Sequence, residues 1–383
     1  MELLIRLLKQ GSVQQTGPVD EEGWERVLGA AAWHGVSGLL VKRLRESGAW
    51  CAVPVSIQAT MEQSVREQSF RALAQVAGLA QVSKTLEDAR VMAVAWKGPA
   101  VSQELYGSYA VRSSSDLDFL LRRQDMPAAV ASLAAIGFTP VQAFKTGAAA
   151  SRAAHLNCEL QLVRMRDKVY VELHDEVMPR LFGKGISIEE CLGTARSLAL
   201  MGTHGGAVRV LHSQLLLISL CAHGAKHGWE RLKWLCDISA YLAMYGGETD
   251  WPALWLAAKR ASALEAVLCG VRLAGNLLQA PLPEPIRRYS PHGKRVDALV
   301  EQVSLRLLSG MMQKQTVSSG LRDALDTIGS KSGRLRYMVS RALTVNAVDL
   351  ERFQLPEKLS ALYQPLRIVR LLGSARRAGP WRS

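Results

Sequence analysis

Apolar positions recur along this chain in two rhythms. Through Glu2 to Gln10, Asp20 to Glu46 and Pro54 to Arg90 they fall at helical spacing with charge between them, which predicts three helices. Asp20 is a candidate N-cap, and Gly48 lies near the end of the second helix. The third stretch has no internal Pro and is expected to pack on a sheet. At Val91 the rhythm changes. Val91 to Trp96 is a continuous, β-branched apolar run that reads as a buried strand, and Lys97-Gly98-Pro99 breaks it. A short helix to Tyr106 and a polar turn, Arg112 to Ser115, lead into Asp116-Leu117-Asp118-Phe119-Leu120-Leu121, where polar and apolar side chains alternate. Gln124 to Ile136 predicts an Ala-rich helix stopped by Gly137. Phe138 to Phe144 reads as a strand. His155 to Met165 and Lys168 to Leu173 read as a hairpin, and Lys145 to Ala154 as a mobile loop before it.

From about Gly202 the helical rhythm returns. Val208 to Leu211 is a last short strand or an extended entry to it. His212–Gly228, Trp229–Tyr245, Trp251–Ser262 and Ala263–Leu278 read as successive helices, and Pro281 to Pro285 as a linker or reversal. The chain has 383 residues, enough for two or three domains. The pattern divides it into an N-terminal helical segment (1–90), an α/β unit (91–200) and a C-terminal helical region with a basic tail (201–383), an α+β protein.

Chemistry concentrates in the middle unit. On a strand, Asp116 and Asp118 share one face and Leu117 and Phe119 the other. Two carboxylates so placed repel each other unless a divalent cation lies between them. Glu172, in the strand-like run Lys168 to His174, can point at the same place if its strand lies alongside, and His174 falls on the face of Glu172.

The ordered set Lys97-Gly98, Leu105-Tyr106, Arg112, Asp116-Leu117-Asp118 and Glu172-Leu173-His174, followed by His223, His227 and Asp237, resembles an uncharacterised bacterial nucleotidyltransferase family within the DNA polymerase β-like superfamily. The resemblance implies a polymerase β-like catalytic domain flanked by helices. It implies two Mg²⁺ ions, with Mn²⁺ as a substitute, held by Asp116, Asp118 and Glu172, and an NTP such as ATP as substrate. Lys97, Gly98, Arg112, Ser113, Ser114, His223, Lys226 and His227 are the implied nucleotide contacts, with His174 and Asp237 supporting them. The chain departs from many superfamily members at Pro99, which stands where a Ser hydroxyl touches phosphate; Ser113 to Ser115 are the candidates to replace it.

Each residue has a plainer reading beside this one. Lys97 binds a phosphate or forms a salt bridge to Asp116 or Asp118. His223 and His227 share a helix face and are phosphate contacts or packed core; Gly224 stands where a zinc peptidase needs Glu. His34 is expected to be structural.

Composition adds three points. Six scattered Cys without a Cys-x-x-Cys pair fit a reducing, cytoplasmic setting. The longest apolar run, Leu215 to Ala222, is too short to span a bilayer. Net charge is +13, and Lys331 to Ser383 carries eleven Lys or Arg against three Asp or Glu, either a solvated surface or a footprint for phosphates. The acceptor stays open between a small molecule, a peptide and RNA. Alternatives to general nucleotidyl transfer are a tRNA-modifying, toxin-like enzyme and a non-catalytic nucleotide-binding or scaffold protein.

Overall fold

The computed structural model describes residues 1–9, 19–141, 159–177, 186–203, 206–288, 293–310 and 355–377, with isolated residues between 311 and 354. The expected loop at Lys145 to Ala154 and part of the basic tail, Arg382 included, lie outside the described residues.

Helix α1 spans Glu2–Leu8. The stretch expected as one helix from Asp20 to Glu46 is two, α2 (Glu21–His34) and α3 (Ser37–Glu46). The Asp20 carboxylate caps the first through Gly23 N–H at 2.9 Å, and Gly35 ends it in the left-handed conformation at φ 68°. Helix α4 (Val55–Asp88) runs for 34 residues. Strand β1 (Ala93–Ala95), α5 (Gly98–Tyr106), β2 (Leu117–Leu121), α6 (Met126–Ala135), β3 (Thr139–Pro140), β4 (Glu159–Arg164), β5 (Val169–His174), α7 (Ile188–Gly193), β6 (Arg196–Ala199) and β7 (Ala207–Val210) follow. Four helices then match the returning rhythm: α8 (Ser213–Lys226), α9 (Leu232–Tyr245), α10 (Trp251–Arg260) and α11 (Leu264–Leu278). Beyond them stand α12 (Glu284–Arg288), α13 (Gly293–Leu308) and α14 (Tyr363–Arg377).

The strands form one mixed sheet in the order β3-β4-β5-β2-β1-β7-β6. The expected hairpin of β4 and β5 is present, and the last short strand, β7, lies parallel to β1. The register of the parallel pair β2 and β5 sets Leu117 beside Val171, Asp118 beside Glu172 and Leu120 beside His174. Alternation therefore divides the central strands between two cores. Leu117, Phe119, Leu121, Val171 and Leu173 face Leu79, Val82 and Leu86 of α4 and Leu133 of α6. As expected, then, α4 packs on the sheet. Gly78 lets it come close, since a Cβ there would stand 2.9 Å from Val169. Val94, Trp96 and Leu120 face the other way, into a core shared with α1 to α3 and with α8 to α11. The face carrying Asp118, Glu172 and His174 is thus the one the terminal helices cover.

Candidate active site

The site begins with a turn. Lys97 precedes α5, and Gly98 takes φ 62°, a conformation open to Gly at no steric cost. A Cβ at Gly98 would stand 2.7 Å from the carbonyl oxygen of Asp116. The turn therefore lies directly against the start of β2. Helices from the N-terminal region hold the backbone leading into that strand. The Gln68 amide donates to Ala110 O at 2.7 Å, and the Gln75 amide to Ser114 O at 3.0 Å. Ser113 Oγ donates to Gly35 O at 3.1 Å, and Ser114 Oγ to Asp116 O at 3.0 Å.

Asp118, 3% exposed, is the hub. Its Oδ1 accepts from Lys97 Nζ at 2.9 Å and faces His174 Nε2 at 3.0 Å; the same nitrogen lies 3.4 Å from Glu172 Oε2. Gln161, opposite Glu172 in the register of β4 and β5, donates to Glu172 Oε1 at 2.6 Å. The side chains of Asp118, Glu172 and His174 each offer a ligand atom within 4.8 Å of the others, a candidate metal-holding triad. Asp116, one residue before β2, stands beside them with Ser115 Oγ donating to its Oδ2 at 3.1 Å.

Protonation records how crowded these charges are. Burial, then Asp118 and Glu172, push Asp116 up to about 6. Burial works the same way on Asp118, but the charge of Lys97 and the hydrogen bond from His174 outweigh it and hold the carboxyl well below its usual range. Burial would raise Glu172, yet the hydrogen bond to His174, together with the charges of His174 and Lys97, outweighs that and lowers it. Burial would lower His174, yet its hydrogen bonds to Asp118 and Glu172 raise it. Carboxylate oxygens with one imidazole nitrogen suit a divalent cation, and Asp116, repelled by two like charges, is a further oxygen donor at its edge.

The helical half reaches the site at two points. Asp237 of α9, fully buried, accepts from Arg112 Nε at 2.8 Å and from Tyr106 OH at 2.9 Å. The two Nη groups of Arg112 have no hydrogen-bond partner among the described residues. At the C-terminal end of α8, His223 and His227 stand with ring centroids 4.7 Å apart, and Trp234 lies against both at 5.5 and 5.2 Å. Burial, then the charge of Lys97, holds His223 far below the imidazole range. Burial and Lys226 bring His227 down to about 4. Both imidazoles are neutral and within electrostatic reach of Lys97. Lys226 on the same turn is exposed.

Gln161 and Lys233 carry no motif that marks them in the sequence. Gln161 is one polar residue of an alternating strand, and only the register shows what it meets. Lys233 gives a faint signal, a lone cation in an apolar helix four residues before Asp237.

A strand carboxylate paired with an acid on the neighbouring strand, backed by an imidazole and capped by helices, is a nucleotidyltransferase-type active site. Residues 20–279 match the family described as uncharacterised nucleotidyltransferase, and the chain belongs to it. No curated protein matches the chain. Among the described residues, no helix is long and apolar enough to cross a membrane.

Proposed function

We propose that this protein transfers a nucleoside monophosphate from an NTP to a hydroxyl acceptor and releases pyrophosphate. The observation that carries the reading is the pairing of Asp118 with Glu172 across parallel strands, with His174 on both and Asp116 beside them. Such a cluster, one buried acid with two half-buried ones beside it, fits a divalent cation. Asp116, Asp118 and Glu172 would hold Mg²⁺, two ions in this reading, which would lower the pKa of the acceptor hydroxyl and neutralise charge on the triphosphate.

The chain's own groups have separate tasks. Glu172 takes the acceptor proton, its other oxygen fixed by Gln161. His174 keeps Asp118 and Glu172 in place. Arg112, anchored through Nε by Asp237, turns its Nη groups to phosphate oxygens. Neutral His223 and His227 donate to phosphate, and Lys226 and Lys97 add positive charge. Ser113 and Ser114 direct their hydroxyl protons to backbone carbonyls. Pro99 has no hydroxyl to offer a phosphate, so in this reading that role passes to the backbone N–H groups of Gly98 and of the Ser113-Ser114 turn.

The test is incubation with each α-labelled NTP and Mg²⁺, with and without cell extract. The expected result is label on an acceptor and release of pyrophosphate, both abolished by Asp118→Asn. NTP binding without turnover under every condition would instead make this a nucleotide-binding module.

A further inference from the structure

Lys233 stands in the first turn of α9, half-buried in a helix that is otherwise apolar around it. It makes no hydrogen bond or ion pair among the described residues. Of the charges that act on it, Arg112 and Arg231 are cations, and the anions are Asp237 and Asp116. Asp237 is already engaged by Arg112 and Tyr106. Asp116 belongs to the carboxylate cluster and, in nucleotidyl transfer, is reserved for the cation. The lysine thus has three N–H donors and no protein acceptor among the described residues, on a half-buried side chain whose tip is open to an incoming anion. Burial, then Arg112, lowers it to about 8, so it remains charged at neutral pH.

The course of its side chain is set by a residue remote in sequence. Its Cδ and Cβ pass 3.1 and 3.9 Å from the point where a Cβ on Gly35 would stand. Gly35, at φ 68°, ends α2 and also accepts the Ser113 hydroxyl. One glycine of the N-terminal helices therefore makes room for the Lys233 stem and ties it to the turn that leads into Asp116. The lysine is within electrostatic reach of Asp116, Arg112 and His227.

We propose that Lys233 is a phosphate-binding residue of this site, donating to the terminal phosphates of a metal-bound nucleoside triphosphate, with Gly35 holding open the space for its side chain. The inference rests on the nucleotidyl-transfer reading and adds to it a cation that the family motif did not supply. An ammonium fits this task as a point charge on a flexible stem.

The test compares wild type, Lys233→Met and Lys233→Arg by calorimetric titration with inorganic tripolyphosphate and with ATP, GTP, CTP and UTP in Ca²⁺, alongside melting of each apo protein. Lys233→Met should bind tripolyphosphate and the preferred triphosphate at least about tenfold more weakly, since a hydrogen bond to a charged group is removed. It should bind the matching nucleoside monophosphate as wild type does and melt no lower, because no partner is orphaned. Lys233→Arg should recover most of the affinity. Should the Met variant fail to fold, Lys233→Gln reads the same quantities. Unchanged tripolyphosphate affinity, or a melting point several degrees lower with affinities intact, overturns the assignment and makes Lys233 structural. Wild type that binds neither tripolyphosphate nor any triphosphate overturns the underlying reading instead.

Discussion

At the residue scale, environment decides which charges exist at neutral pH. Carboxylates gather on the sheet, neutral imidazoles and cations on the facing helices. His34 shows how such burial couples to pH away from the carboxylates. It is 4% exposed, and its Nδ1 accepts the backbone N–H of Leu232 at 3.2 Å. Burial, then Arg231, brings it down to about 4 from an ordinary 6.5. A lowered histidine is neutral in the fold but takes a proton in the unfolded chain. Its stabilisation is therefore complete above pH 6.5 and is lost as pH falls toward 4. At full strength the loss is on the order of 3 kcal/mol. His34→Gln keeps an acceptor for Leu232 and cannot titrate. Urea midpoints taken from pH 7.5 down to 5 should fall less steeply in the variant than in wild type; parallel slopes would contradict the assignment of His34.

At the scale of elements, the turn between β1 and α5 connects sequence to site. A residue before proline is steered away from the right-handed helical region, and Gly98 meets that demand with φ 62°. Gly98→Ala adds strain of about 1–3 kcal/mol and drives a Cβ into the Asp116 carbonyl. The melting point should fall by several degrees and divalent-cation affinity should fall with it, read by thermal melts with and without Mn²⁺. Wild-type melting would show that the turn bears less strain than its geometry implies. Much of this region is legible in the sequence because its signals are local. Alternation puts Asp116 with Asp118 and Glu172 with His174, and the break at Lys97-Gly98-Pro99 ends the strand. Pairing is not legible there. Nothing in β4 says that Gln161 meets Glu172, or that Lys233 runs past Gly35, because those approaches come from register and from helix packing across distant stretches. The split between α2 and α3 is hidden for a different reason. Apolar spacing continues through it, and the left-handed Gly35 interrupts the backbone without interrupting the pattern.

At the scale of the whole molecule, the sheet separates two cores, and the candidate site lies on the face covered by helices from both ends of the chain. The N-terminal helices hold the backbone from Ala110 to Ser114, and α8 and α9 supply histidines and cations. The family match, residues 20–279, takes in all of these parts. The central claim is that the acids on this face form a divalent-cation site. Its most direct test is titration of Mn²⁺ into wild type and Asp118→Asn, followed by the paramagnetic signal of the free ion, with the fold of each checked by circular dichroism. Wild type is expected to bind saturably, and Asp118→Asn to lose that binding while its fold persists. Equal binding by both proteins, or none by wild type, would contradict it.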